Sequence, residues 1–156
     1  MKELLKNKKH ISWREVQHLI LLDTCFIIHS VKNNNKIKIK NAAITSFNIE
    51  ELMKVEHKLG HLKKELRNFL KNTSFVIVDV PVSPGQWMQE KDFVLAVNHD
   101  LLKEVPDASD AVLMAAAIQT QSDVLTKDKH HLFTTKLENF LDAYSIRVYK
   151  ELKDIQ

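Results

Sequence analysis

The chain has 156 residues, 44% hydrophobic and 28% charged, with a net charge of +3; this length supports one domain with a real core and not two comfortable ones. The composition excludes general disorder, and no apolar run reaches the ~20 residues of a membrane span. The opening stretch, MKELLKNKKHISW, lacks the apolar centre of a signal peptide, so a cytoplasmic protein is expected. Cys25, the single cysteine, excludes an internal disulfide and a cysteine-rich zinc site, and agrees with a reducing compartment. With only Gly60 and Gly85 as glycines, the chain cannot build a Walker loop or a dinucleotide fingerprint, both of which need several glycines after a strand.

The positive charge gathers in two places, Lys2 to Arg14 and Lys32 to Lys40. Clustered lysine suits a polyanion, because neutralised phosphates release counterions. A solvated surface is the plainer reading.

In chain order, a basic lead of about residues 1–17, part of it helical, extends the domain at its N-terminus. Residues 18–22 then read as a short, fully buried strand without alternation. Residues 24–31 suit a short helix that stops at Asn33, Asn34 and Asn35. KIKIKNAAITSF alternates lysine with isoleucine and then turns apolar, which predicts a second strand at 43–46, with lysines able to guard a sheet edge. Apolar residues at 49, 52, 59, 62, 66, 69 and 70 form one helical stripe and predict a long helix over 48–71. SFVIVDVPV, residues 74–82, is a further strand ended by prolines. Pro84 is expected to open a helix over 84–104 with Trp87, Phe93, Leu95, Val97 and Leu101 on its apolar positions. DAVLMAAAIQTQ is apolar nearly all round and reads as a buried helix. A strand at 122–126, a helix at 134–141 and a last strand at 145–149 follow.

Strands alternating with helices predict an α/β fold, a three-layer α/β/α sandwich around a parallel sheet of about five strands. In such sheets ligands bind outside the carboxyl ends of the strands. Asp23 follows the first strand directly, and Asp128 follows VLT after one lysine. Glu51 lies in the first turn of the helix after the second strand, and Asp110 opens the buried helix, whose start faces the same edge. These carboxylates repel one another unless they take up protons or bind a cation. Oxygen-only ligands suit Mg²⁺ or Mn²⁺ rather than zinc. An ion so held makes a nucleophile of water and shields a phosphate, so the expected reaction class is phosphodiester hydrolysis.

Each acid also has a local explanation. Asn48 and Glu51, like Asp107 and Asp110, have capping-box spacing, and Asp128 suits a turn. Asp107 is read as an N-cap rather than a fifth acid. Cys25 is read as buried packing. His57 and His61, one helical turn apart, face away from the apolar stripe and are read as solvated rather than as zinc ligands. His130 and His131 are assigned to a loop or helix start. Trp13 and Trp87 offer rings on which bases stack, with Trp87 assigned to the core. The Asp-Thr-Cys sequence lacks the second aspartate that aspartyl phosphatases place two residues on.

In this order the segments LLDTCFI, ITSFNIEEL, SDAVLMAAA and VLTKD resemble the PIN-domain metal-dependent ribonucleases, which include VapC-type toxins and RNA-processing endonucleases. The resemblance spans residues 19–128. It implies that Asp23, Glu51, Asp110 and Asp128 are the catalytic acids that hold Mg²⁺ or Mn²⁺, with Glu51 chosen over Glu50 because it directly precedes the leucine. It implies Thr24 and Thr126 as supporting hydroxyls, RNA as substrate, and a homodimer and an antitoxin or RNA-processing partner as associates. A nucleic-acid-binding or assembly module of the same fold, with little or no cleavage, is the second expectation.

Overall fold

A computed structural model describes residues 1–128 and 134–155; His130 and His131 lie outside the described residues. Strands β1 (His10–Ser12), β2 (Ile20–Leu22), β3 (Ala42–Thr45), β4 (Val76–Asp79), β5 (Asp123–Leu125) and β6 (Val148–Tyr149) form one sheet. Its order is β1-β4-β3-β2-β5-β6 and every pairing is parallel. The run that ends at Asp23 is therefore an interior strand, flanked by β3 and β5.

Adjacent residues of one strand point to opposite faces, and each inner strand uses both. Leu21, Ala43, Val78 and Val124 pack into one apolar cluster. Their neighbours Leu22, Ala42, Ile44, Ile77 and Leu125 pack into the other. That double burial is why the strands read as continuous apolar runs. The first cluster is completed by helices α5 (Trp87–Val97), α6 (Leu101–Glu104), α7 (Ala108–Thr120) and α8 (Thr135–Asp142). The second is completed by α1 (Lys2–Leu5), α2 (Thr24–Lys32), α3 (Ser46–Val55) and α4 (Leu62–Asn72). The three-layer α/β/α arrangement is thus present. Among the described residues no helix is long and apolar enough to cross a membrane.

Four expectations are corrected. The sheet has six strands rather than about five, because the basic lead supplies β1, held to β4 with His10 opposite Ile77. The lead also buries Leu5, so it is part of the core. The long helix over 48–71 is two helices: a 3-10 turn at Glu56–Lys58 and a turn at Gly60, whose φ of 55° suits glycine, separate them. The stripe ran through this break because Ile49, Leu52, Leu66 and Leu70 enter the same cluster from both helices.

The helix over 84–104 likewise divides at Asn98, which is extended and accepts the Asp100 amide at 2.9 Å on its own side chain. Finally, the second strand lies at Ala42–Thr45, close to the expected 43–46, and residues 36–40 precede it with Ile37 buried between exposed Lys36 and Lys38. They lead into β3, which is interior, so these lysines guard no sheet edge.

Candidate functional site

The carboxyl end of β2 delivers Asp23 to the start of α2, where it is the N-cap and accepts the Thr24 amide at 2.7 Å. A carboxylate there is favoured by the positive end of the helix dipole. Its other oxygen accepts from the Thr126 hydroxyl at 2.6 Å and from the Cys25 thiol at 3.0 Å. Burial nevertheless pushes the Asp23 carboxyl pKa upward, the charge of Asp128 adds to that, and the three hydrogen bonds oppose it.

Glu51 stands on α3, whose N-cap is Thr45 rather than Asn48. The helix starts earlier than the sequence suggested, so Glu51 does not close a capping box. It accepts instead from the Thr24 hydroxyl at 2.7 Å and the Asn48 amide at 3.1 Å. Burial, followed by the charges of Asp23 and Glu90, pushes its pKa from 4.5 to about 6. Asp107 is the N-cap of α7 and accepts the amides of Ser109 at 2.9 Å and Asp110 at 3.1 Å, as expected of a cap. It thereby sets Asp110 in the first turn. Asp128 follows β5, and its amide donates to the Thr126 hydroxyl at 3.0 Å, so Thr126 ties two site segments together.

Asp23, Glu51, Asp110 and Asp128 all line one cleft of about 800 Å³, together with Lys54 and Lys127. The Lys54 ammonium donates to the Pro84 carbonyl on the cleft wall. Lys127 bonds Glu151 at 2.6 Å. No family model, curated protein or solved structure matches the chain.

The site's donor set is oxygen only, which fits a hard divalent cation, and burial and mutual repulsion disfavour the ionised carboxylates in a way such a cation would relieve. As the side chains lie, no three His, Cys, Asp or Glu groups among the described residues close on one ion. Thr24, Thr126 and Asn48 account for this in part, since they donate into Asp23 and Glu51. His57 and His61 are both exposed, in agreement with a solvated role.

One aromatic assignment is overturned, that of Trp87. Trp13 is partly buried and packs edge-on against Phe93, with ring centroids 5.0 Å apart. Trp87, assigned to the core, is 72% exposed. It is the first residue of α5, whose buried residues are Glu90, Phe93 and Val94. Cys25 is only partly buried and is more than packing, since it donates to Asp23 and accepts from the Lys127 amide at 3.3 Å. Burial and then the Asp23 charge push its thiol up to about 12, which favours the protonated thiol over the thiolate.

Sequence reasoning missed two further residues. Asn48 is buried and bridges Thr24 and Glu51, but its position near a helix start read as a cap. Glu90 is fully buried, accepts from Ser109 at 2.8 Å through one oxygen and leaves the other without a partner. Its signal was an acid at helical spacing from Phe93 and Val94, on the apolar face.

Proposed function

We propose that this chain is a Mg²⁺- or Mn²⁺-dependent endoribonuclease of PIN type. The observation that carries the reading is the meeting of four carboxylates, from four separate segments, in one cleft with two lysines. The ordered resemblance of the segments around Asp23, Glu51, Asp110 and Asp128 to PIN ribonucleases supports RNA as the substrate. A divalent ion supplies Lewis-acid shielding of the phosphate and eases deprotonation of the attacking water.

The chain's own residues do the rest. Asp23, Glu51, Asp110 and Asp128 would hold the ion. Thr126 and Thr24 orient Asp23 and Glu51 by hydrogen bonds at 2.6 and 2.7 Å, and the Asn48 side-chain amide adds a second donor, at 3.1 Å, to the same Glu51 oxygen. Lys54 and Lys127 bring positive charge to the wall along which the polyanion runs. A homodimer and an antitoxin or processing partner belong to the same proposal.

The test is cleavage of RNA with and without added Mg²⁺ or Mn²⁺. Cleavage should need the ion, stop on chelation and fall at least ~100-fold in Asp23→Asn and Asp110→Asn, the scale of losing a group that acts on the transition state. Cleavage that persists unchanged in both variants overturns the reading.

The second reading is a nucleic-acid-binding or assembly module with little or no cleavage. It is favoured by the inward hydrogen bonding of Asp23 and Glu51, which leaves the described carboxylates short of a common point. It predicts salt-sensitive RNA binding that survives both substitutions.

A further inference from the structure

The described residues expose few large hydrophobic side chains, and three of these, Trp87, Met88 and Leu95, lie on α5. Trp87 and Met88 are each 72% exposed and adjacent, an arrangement that excludes water poorly and is not explained by the core. Their place in the fold is fixed from two sides of the acidic cleft. Pro84 and Gly85 line the cleft wall, where the Lys54 ammonium donates to the Pro84 carbonyl and Gly85 holds a φ of 90° that suits glycine. Trp87 follows Gly85 by two residues, so its Cα lies within ~8 Å of that wall. One turn further on, Glu90 bonds Ser109, the neighbour of the cleft residue Asp110. The start of α5 is thus tied to the cleft at both Gly85 and Ser109, and Trp87 stands beside the cleft wall with its indole ring exposed to solvent.

We propose that Trp87 is a stacking platform that receives an unpaired base of single-stranded RNA as the strand enters the cleft. The proposal rests on the nucleic-acid reading of that cleft and adds the strandedness of its substrate. Every base presents a π-face, so a fixed indole binds single strands with little regard to sequence, whereas a duplex has its faces already stacked. Lysine completes the path: Lys91, exposed, is one helical turn from Trp87 on the same side, and Lys54 and Lys127 stand at the cleft. A second copy of the chain fits this face less well. Three side chains, at about 150–250 Å² for an aromatic one, fall short of the ~800 Å² per partner of a stable interface, and Lys91 interrupts them.

The test measures binding of a fluorescein-labelled oligoadenylate, and of the same strand paired with oligouridylate, to the full chain in chelator at low salt, where cleavage is stopped. Trp87→Ala should bind the single strand roughly tenfold more weakly, within the range of one lost base stack, with little change for the duplex. Trp87→Phe should keep most of the affinity. Protein fluorescence should be quenched by oligoadenylate, and the quench should vanish in Trp87→Phe but persist in Trp13→Phe. Equal binding by Trp87→Ala, equal weakening for both strands, or a Trp87→Ala that instead loses self-association overturns the platform. Single-strand binding that depends on Trp87 in a protein that never cleaves RNA would retain the platform and reject the nuclease.

Discussion

The Asp23 carboxylate accepts from the Thr24 amide, the Thr126 hydroxyl and the Cys25 thiol, and Glu51 accepts from Thr24 and Asn48. These donors favour the ionised forms, yet burial outweighs them and raises both pKa values. The stability consequence follows from proton uptake. Between pH 4.5 and about 6 the folded chain keeps a proton on Glu51 that the unfolded chain has released. Stability from this group therefore falls as the pH rises through that window, by about 2 kcal/mol in metal-free protein. Denaturant midpoints measured across this range should fall for the wild type and fall less for Glu51→Gln. Excess Mn²⁺ should flatten the wild-type curve, because it replaces the proton as the partner of the carboxylate.

The helix starts carry the site, and α7 shows how. Asp107 accepts two amides at the head of α7, and the second belongs to Asp110. Asp107→Ala should cost about 1 kcal/mol of stability through loss of the cap, and should also lower metal-dependent cleavage by loosening the turn that bears Asp110. Asp107→Asn, which keeps an accepting oxygen, should recover most of both. Melting temperature and cleavage rate, read together on the two variants, check this.

Such helix starts were legible in part. Asp107 followed by Asp110 before an apolar run marks α7 in the sequence, and the strand-end position of Asp23 marks the edge of the sheet. The breaks at Gly60 and Asn98 were not legible, because apolar periodicity reports which face is buried and is blind to a turn that keeps both halves on one face. Asn48 and Glu90 were hidden for a related reason: polar residues on buried faces look like caps or exceptions until their partners from distant segments are known.

The whole molecule is organised around β2, whose neighbours β3 and β5 bring Glu51 and Asp128 to the same edge as Asp23. The parallel order is what brings the four acids to one cleft although 105 positions separate Asp23 from Asp128 in the numbering. Alternating strands and helices were enough to foresee that layout. They were not enough to foresee β1, since a three-residue strand in a lysine-rich lead has no apolar run to announce it. The lead should behave as core. Leu5, 6% exposed and packed in the cluster that holds Leu66 and Leu70, should cost about 2 kcal/mol or more when replaced by alanine. Chemical denaturation of Leu5→Ala measures this, and a loss below ~0.5 kcal/mol, the range of a surface change, would show the lead to be a solvated appendage.

The pairing of β1 with β4 bears on how the chain is made. Synthesis produces His10 long before Ile77, its partner in the ladder, and β2 and β3 can pair in the interval. The first strand to be made must therefore wait, its lysines keeping it in water, until β4 has joined β3 and offers an edge. A nascent chain halted before Val76 should leave residues 10–12 open to protease, and one halted well beyond Asp79 should protect them.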